Sequence, residues 1–164
     1  MGASLYNFSV WLQNCPIGMF MQNSLWPFPT METVHIMGIV VVVGSATILD
    51  LRLMGLILKR QSVSSLAKQT LPWAWVGFLI QVVSGFLLYA TEATKLYFSI
   101  PFRLKMLMVA LVGINVLVFH VFVYRDVDAW DTAPEPPLAA RLTGWFSILL
   151  WLGIITAGRW IAFY

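Results

Sequence analysis

Four apolar stretches, each about the length that crosses a bilayer, decide what this chain can become. At a rise of about 1.5 Å per residue, about 20 mostly apolar residues span the hydrocarbon as a helix. The first stretch covers approximately 32–58 and reads "VHIMGIVVVVGSATILDLRLMGLIL" from Val34; the polar "KRQSVSSLAKQT" follows. The second covers approximately 72–93, opening at Pro72, where a first helical turn tolerates proline best. The third covers approximately 101–125 from Pro101. The fourth covers approximately 137–162, after "DTAPEPP", a segment too rich in proline to be helical throughout. Short connections predict antiparallel sequential neighbours, hence an all-α integral membrane fold: a four-transmembrane-helix, up-down-up-down bundle over residues 31–164. Residues 1–30 carry Leu5, Phe8, Val10, Trp11 and Leu12, then Pro16, Pro27 and Pro29. That segment is too broken to span and reads as an amphipathic piece lying at the interface or capping the bundle.

Composition agrees. Of 164 residues, 60% are hydrophobic and only 10% charged, against about a quarter charged in soluble domains. Such a chain cannot cover itself with a water-compatible surface. Eight Trp suit the two membrane interfaces. The ten basic residues are scattered, which argues for loops beside anionic lipid and against nucleic acid. The single cysteine, Cys15, forms no internal disulfide, and its context "LQNCPIG" is unlike a cleaved or lipoprotein signal. Arg52, Lys59, Arg60, Lys68, Arg125 and Arg141 fall on one side of the predicted bundle. Fewer basic residues (Lys95, Arg103, Lys105, Arg159) fall on the other. The positive-inside rule then places both termini in the periplasm of a bacterial inner membrane.

Depth sorts the polar groups. His35 lies about one turn into the first span and His120 about twenty residues into the third, and the two spans run the same way. Their depths differ by roughly 25 Å, whereas a metal–imidazole bond is about 2 Å. One metal cannot hold both. Level with His35 are Glu32, Glu92, Arg103, Lys105 and Arg159, a layer near the outer face. Asp50, Arg52, His120 and Arg125 form a second layer near the inner face, read as an ion-pair network between the first and third spans or one end of a proton path. Ionisable groups at membrane depth usually face the bundle interior and mark function. Gln81, Ser84 and Glu92 make a polar stripe on the second span. Gly38, one turn beyond His35, either permits close helix packing or leaves room for a flat macrocycle.

Each residue has a bland alternative. His35 would be an interfacial histidine bonded to Glu32 or a carbonyl, and Lys105 a lysine snorkelling to the headgroups. Arg103 and Arg159 either anchor to lipid or clamp carboxylates such as haem propionates. Met19 and Met21, with Met106 and Met108, form two Met-x-Met pairs. Thioethers suit Cu(I), but methionines in a membrane chain usually fill gaps.

The tracts "SLWPFPTMETVHIMG", "DLRLMGL", "LPWAWVGF", "FRLKMLMV" and "GIN" resemble an uncharacterised family of small four-helix bacterial membrane proteins, over nearly the whole chain. More distantly, the layout is similar to the haem-containing protoporphyrinogen oxidase of bacterial membranes. That resemblance implies that His35, in "ETVHIMG", and Lys105, in "FRLKMLM", would be ligands to haem b. The start of the third span also resembles the membrane domain of copper-resistance D-type proteins.

The leading expectation is a membrane-embedded b-type haem protein, an electron-transfer or oxidoreductase subunit. His35 is one axial ligand, Lys105 or a methionine such as Met106 the second, and Arg103 and Arg159 meet the propionates. Glu32 or Glu92 orients the histidine. Its partners would be membrane lipid, a quinol and a periplasmic redox protein. Two rivals are a cofactor-free accessory subunit of a larger membrane complex and a copper-handling protein using His35, Cys15 and the methionine pairs. Whether the chain is an enzyme stays open, but no motif for hydrolytic, nucleotide or CxxC chemistry is present.

Overall fold

The computed structural model describes residues 2–163. Among these, four helices are long and apolar enough to cross a membrane: Pro27–Leu53, Val63–Thr91, Ile100–Ala129 and Leu138–Phe163. The protein is all-helical over the described residues and fits a multi-pass membrane protein.

Two short helices precede the spans, α1 (Gly2–Asn14) and α2 (Pro16–Asn23). The first span, α3 (Pro27–Leu53), starts at residue 27 rather than 32, because Pro27 and Pro29 fall in its first turn, where a missing N–H costs nothing. It stops at residue 53 rather than 58. Gly55 adopts φ +73, the left-handed conformation open to glycine. Its N–H bonds the Arg52 carbonyl, and the Leu56 N–H bonds that of Leu51, the double bond that closes a helix end.

The second span, α4 (Val63–Thr91), begins nine residues before Pro72 (72 − 63), which lies inside the helix on an exposed face. Capping decides this start. The Ser62 hydroxyl accepts from the Ser65 N–H (3.3 Å), and the Asp131 carboxylate accepts from the Ser64 N–H (2.7 Å) and hydroxyl (2.6 Å). A one-and-a-half-turn helix, α5 (Ala93–Phe98), leads to α6 (Ile100–Val118), whose N-cap is Ser99. The third span continues past residue 125 as a π turn, Phe119–Val123, and a 3-10 turn, Tyr124–Ala129. The last span is α7 (Leu138–Trp160).

Small residues set the packing, as expected where lipid tails compete with apolar side chains for the same contacts. A Cβ on Gly77 of α4 would stand 2.6 Å from the Val42 nitrogen of α3, so only glycine lets these backbones touch. Gly38 meets Ile80 and Gln81 in the same way. The pairings 35/84, 38/81 and 42/77 run in opposite chain directions along α3 and α4. Lys105/Gly158, Met108/Gly153 and Asn115/Thr143 do the same for α6 and α7. Gly144 of α7 seats against Asp50 and Met54 of α3. The close backbone seams among the described residues run α4–α3–α7–α6, and no comparable seam joins α4 and α6.

The two ends of the bundle are closed differently. At the Arg52 end, Leu53, Val63, Phe119, Val123, Val127 and Ala140 form a buried cluster under Trp130. At the His35 end, α1 packs on α5 and α2 on α4. Gln13 holds α1 in place by accepting from the Thr94 N–H (2.9 Å) and hydroxyl (2.7 Å), and Ser9 meets the Tyr89 hydroxyl at 2.8 Å.

Candidate functional site at the His35 end of the bundle

His35 is half-buried between α3 and α4, its ring against Gly85, where a Cβ would stand 3.2 Å from Cε1. Its Nδ1 lies 2.8 Å from Ser84 Oγ. The Ser84 hydroxyl donates to the Ile80 carbonyl (2.5 Å). Its one hydrogen is therefore committed, and it must accept from His35 Nδ1–H. This network places a proton on Nδ1; in the neutral ring the lone pair then lies on Nε2. Gln81 adds a second tie, donating to the His35 backbone carbonyl (2.5 Å). The ring is held by one nitrogen and presents the other.

Lys105, on α6, interacts electrostatically with His35 and runs beside Gly158. Among the described residues it has no carboxylate partner. Tyr89 of α4 stacks on Phe102 of α6, ring centroids 5.2 Å apart at 14°. Each belongs to the helical turn next to the site on its own helix, and the stack bridges the two helices that share no close backbone seam.

The remaining members of the expected layer turn elsewhere. Glu32 is exposed. Glu92 pairs with Lys95 at 3.5 Å. Arg103 donates from Nε and Nη2 to the Tyr97 carbonyl (3.0 and 2.8 Å) and lies over that ring. Arg159 lies over Phe163. The group that orients His35 is thus Ser84, not Glu32 or Glu92. Both acids lie nearer the helix ends and reach polar surroundings more easily. Ser84 was visible in sequence only as one member of a polar stripe, and nothing in sequence announced Gly85 or the Tyr89–Phe102 stack.

The space beside Gly38 is filled by Ile80 and Gln81, so this glycine serves packing and is no macrocycle slot. Three of the copper-type donors have other surroundings. Cys15 Sγ caps α2 through the Gly18 N–H (3.5 Å), Met106 is exposed, and Met108 packs on Gly153. Among the described residues no three of His, Cys, Asp and Glu form a metal-holding group.

The second predicted layer does not form an ion-pair network. Asp50 and Arg52 are two residues apart, and positions i and i+2 of a helix face different ways. Arg52, fully buried, donates from Nε to the Gln61 carbonyl (2.9 Å) and from Nη2 to those of Ala133 (3.1 Å) and Asp131 (3.4 Å). His120 is exposed with Nδ1 on its own Val116 carbonyl, and Arg125 is exposed. Arg52 therefore locks the α3–α4 connection to the one before α7. Asp131, which caps α4 beside it, loses solvation there, which raises its carboxyl. The Ser64 and Val63 bonds and the Arg52 guanidinium outweigh that and hold it below the usual carboxylate range.

Residues 26–164 match a family of unknown function, DUF6644. The chain belongs to that family. Its match covers all four spans together with His35, Ser84 and Lys105 and starts after α2. No curated protein and no solved structure matches the chain, and the likeness to haem and copper proteins rests on the short sequence tracts alone.

Proposed function

We propose that the His35 end of the bundle binds one b-type haem and that the protein is a membrane electron carrier. The observation that supports this is the donor pair: an imidazole anchored through Nδ1, so that Nε2 is the nitrogen left to bind, beside an amine with no acid partner among the described residues. Tested as haem ligands, these two fit. The imidazole has its lone pair available, and its other N–H is held by a second residue, as metal-bound histidines require. Lys105 would bind after losing its proton. When bound, haem supplies a one-electron iron couple.

The chain's own residues do the rest. Ser84 fixes the tautomer and plane of the ring. The Tyr89–Phe102 stack keeps water from the helix ends. Arg103 and Arg159 would meet propionate carboxylates only by leaving the Tyr97 carbonyl and the Phe163 ring that they now engage. In this reading the helices alternate up and down across a bacterial inner membrane with both termini in the periplasm. Electrons pass between a membrane quinol and a periplasmic redox protein.

The test is haem content. Protein made with ample haem and purified in detergent is quantified by pyridine haemochrome; about one b-type haem per chain is expected, and none in His35→Ala. A chain without haem overturns the reading.

A further inference from the structure

The far end of α3 carries a group that the haem reading does not use. Asp50 is 7% exposed and lies in the seam with α7. Gly144 brings the two backbones so close that a Cβ there would stand 2.8 Å from the Asp50 carbonyl oxygen. Ser147, also buried, is the hydroxyl beside the carboxyl on α7. The carboxyl oxygen Oδ2 is buried without any hydrogen-bond partner.

Among the described residues no cation pairs with it. Arg52 on the same helix gives Nε and Nη2 to loop carbonyls; its Nη1 is buried without a partner, yet no ion pair joins it to Asp50, because residues two apart on a helix face different ways. On α7 the facing residues are Gly144 and Ser147, and Arg141 is exposed. On the continuation of α6, His120 is exposed and bonded to its own helix, and Arg125 is exposed. Lys68 of α4 is exposed.

An ionised carboxylate stripped of water, with one oxygen bare and no counter-charge, is among the costliest groups a protein can hold. Two occupants would relieve it. A hard metal cation takes six or more oxygen ligands, and Asp50 and Ser147 supply too few; among the described residues no acidic cluster surrounds them. A proton needs one oxygen and turns the bare acceptor into a neutral hydroxyl. Ionisable residues kept inside membrane spans characteristically serve proton relays.

We propose that Asp50 is a proton-binding site: in the α3–α7 seam its carboxyl carries an exchangeable proton, taken from and returned to water at the Arg52 end of the bundle. The step is simple protonation of a carboxylate. No electron or co-reactant is involved, and it stands whether or not haem occupies the opposite end.

The experiment is infrared spectroscopy of the full chain in lipid nanodiscs at neutral pH. A carbonyl stretch of a protonated carboxyl is expected, shifted by transfer to D2O and lost in Asp50→Asn. In Ser147→Ala the band persists at a changed frequency, because the carboxyl loses its hydroxyl partner. The Ser147→Ala variant also decides the matter should Asp50→Asn not fold. Absence of the band in wild-type protein, its survival in folded Asp50→Asn, or an unmoved band in Ser147→Ala overturns the proposal. Loss of the band on adding sodium, potassium or calcium at constant pH also overturns it, since Asp50 is then a cation site.

Discussion

Both ends of the bundle place a cationic side chain beside apolar helices, and they treat it in opposite ways. Arg52 is wholly enclosed and gives Nε and Nη2 to the carbonyls of Gln61, Asp131 and Ala133, leaving only Nη1 without a partner. Lys105 is half-buried and has no such set of acceptors; it lies beside His35 and Gly158. The difference teaches how to tell a brace from a site. A buried charge whose donors end on backbone carbonyls joins two connections and holds the fold. A half-buried amine without such acceptors, beside a histidine whose ring is held by one nitrogen, braces no connection, and on that difference the proposed ligand site rests.

The comparison breaks first at Arg52. Arg52→Ala strands three carbonyls and opens space where two connections meet, and hydrogen bonds to charged groups contribute about 1.5–3 kcal/mol each. A loss of about 3 kcal/mol or more is expected in denaturant titration of detergent-solubilised protein, whereas Lys105→Met should change stability little. Equal losses at both positions would erase the distinction.

Gly77 and Gly44 give the next effect. Gly77→Ala forces a Cβ into the Val42 backbone and should cost about 1–3 kcal/mol as overpacking does. Gly44→Ala, with nothing within 4 Å of the new atom, should be neutral or slightly stabilising. Equal behaviour of the two in the same titration would contradict the α3–α4 seam.

Ser84→Ala sharpens the site end. Removing the group that orients a metal-bound histidine typically weakens binding about 10–100-fold. Haem titration of the variant should show that loss with unfolding little changed, and full affinity would remove Ser84 from the site.

Acid supplies the smallest effect. The Asp131 carboxyl is held below its usual range, so its contribution is complete above the ordinary carboxylate pKa of about 3.9 and fades as pH falls through the lower folded value. Asp131→Asn should cost about 1 kcal/mol at neutral pH, as lost helix caps do, trimmed by solvent screening. The gap from wild type should close in acid; a gap independent of pH would mean that charge is not what Asp131 contributes.

The spans were legible because hydrophobic length is a local property of sequence. Pairing His35 with Lys105 was legible because depth along a straight helix can be counted. Their immediate surroundings were not. Which nitrogen of His35 carries the proton depends on a serine 49 positions away, and the Tyr89–Phe102 stack depends on how two spans lean together. Pro72 misled as a start signal because the helix is capped earlier, by Ser62 and, from a distant connection, by Asp131. Asp50, Arg52, His120 and Arg125 shared a depth and so looked like one layer, but depth does not tell which way each side chain turns: Arg52 turns to loop carbonyls, and His120 and Arg125 are exposed.

The central claim is that His35 presents Nε2 to a haem iron. Its most direct test is the reduced-minus-oxidised optical spectrum of the detergent-purified protein beside that of His35→Ala. A b-type difference spectrum in the wild type that disappears in the variant is the predicted result. A featureless wild-type spectrum from haem-replete cells, or a spectrum that His35→Ala leaves unchanged, would contradict the account.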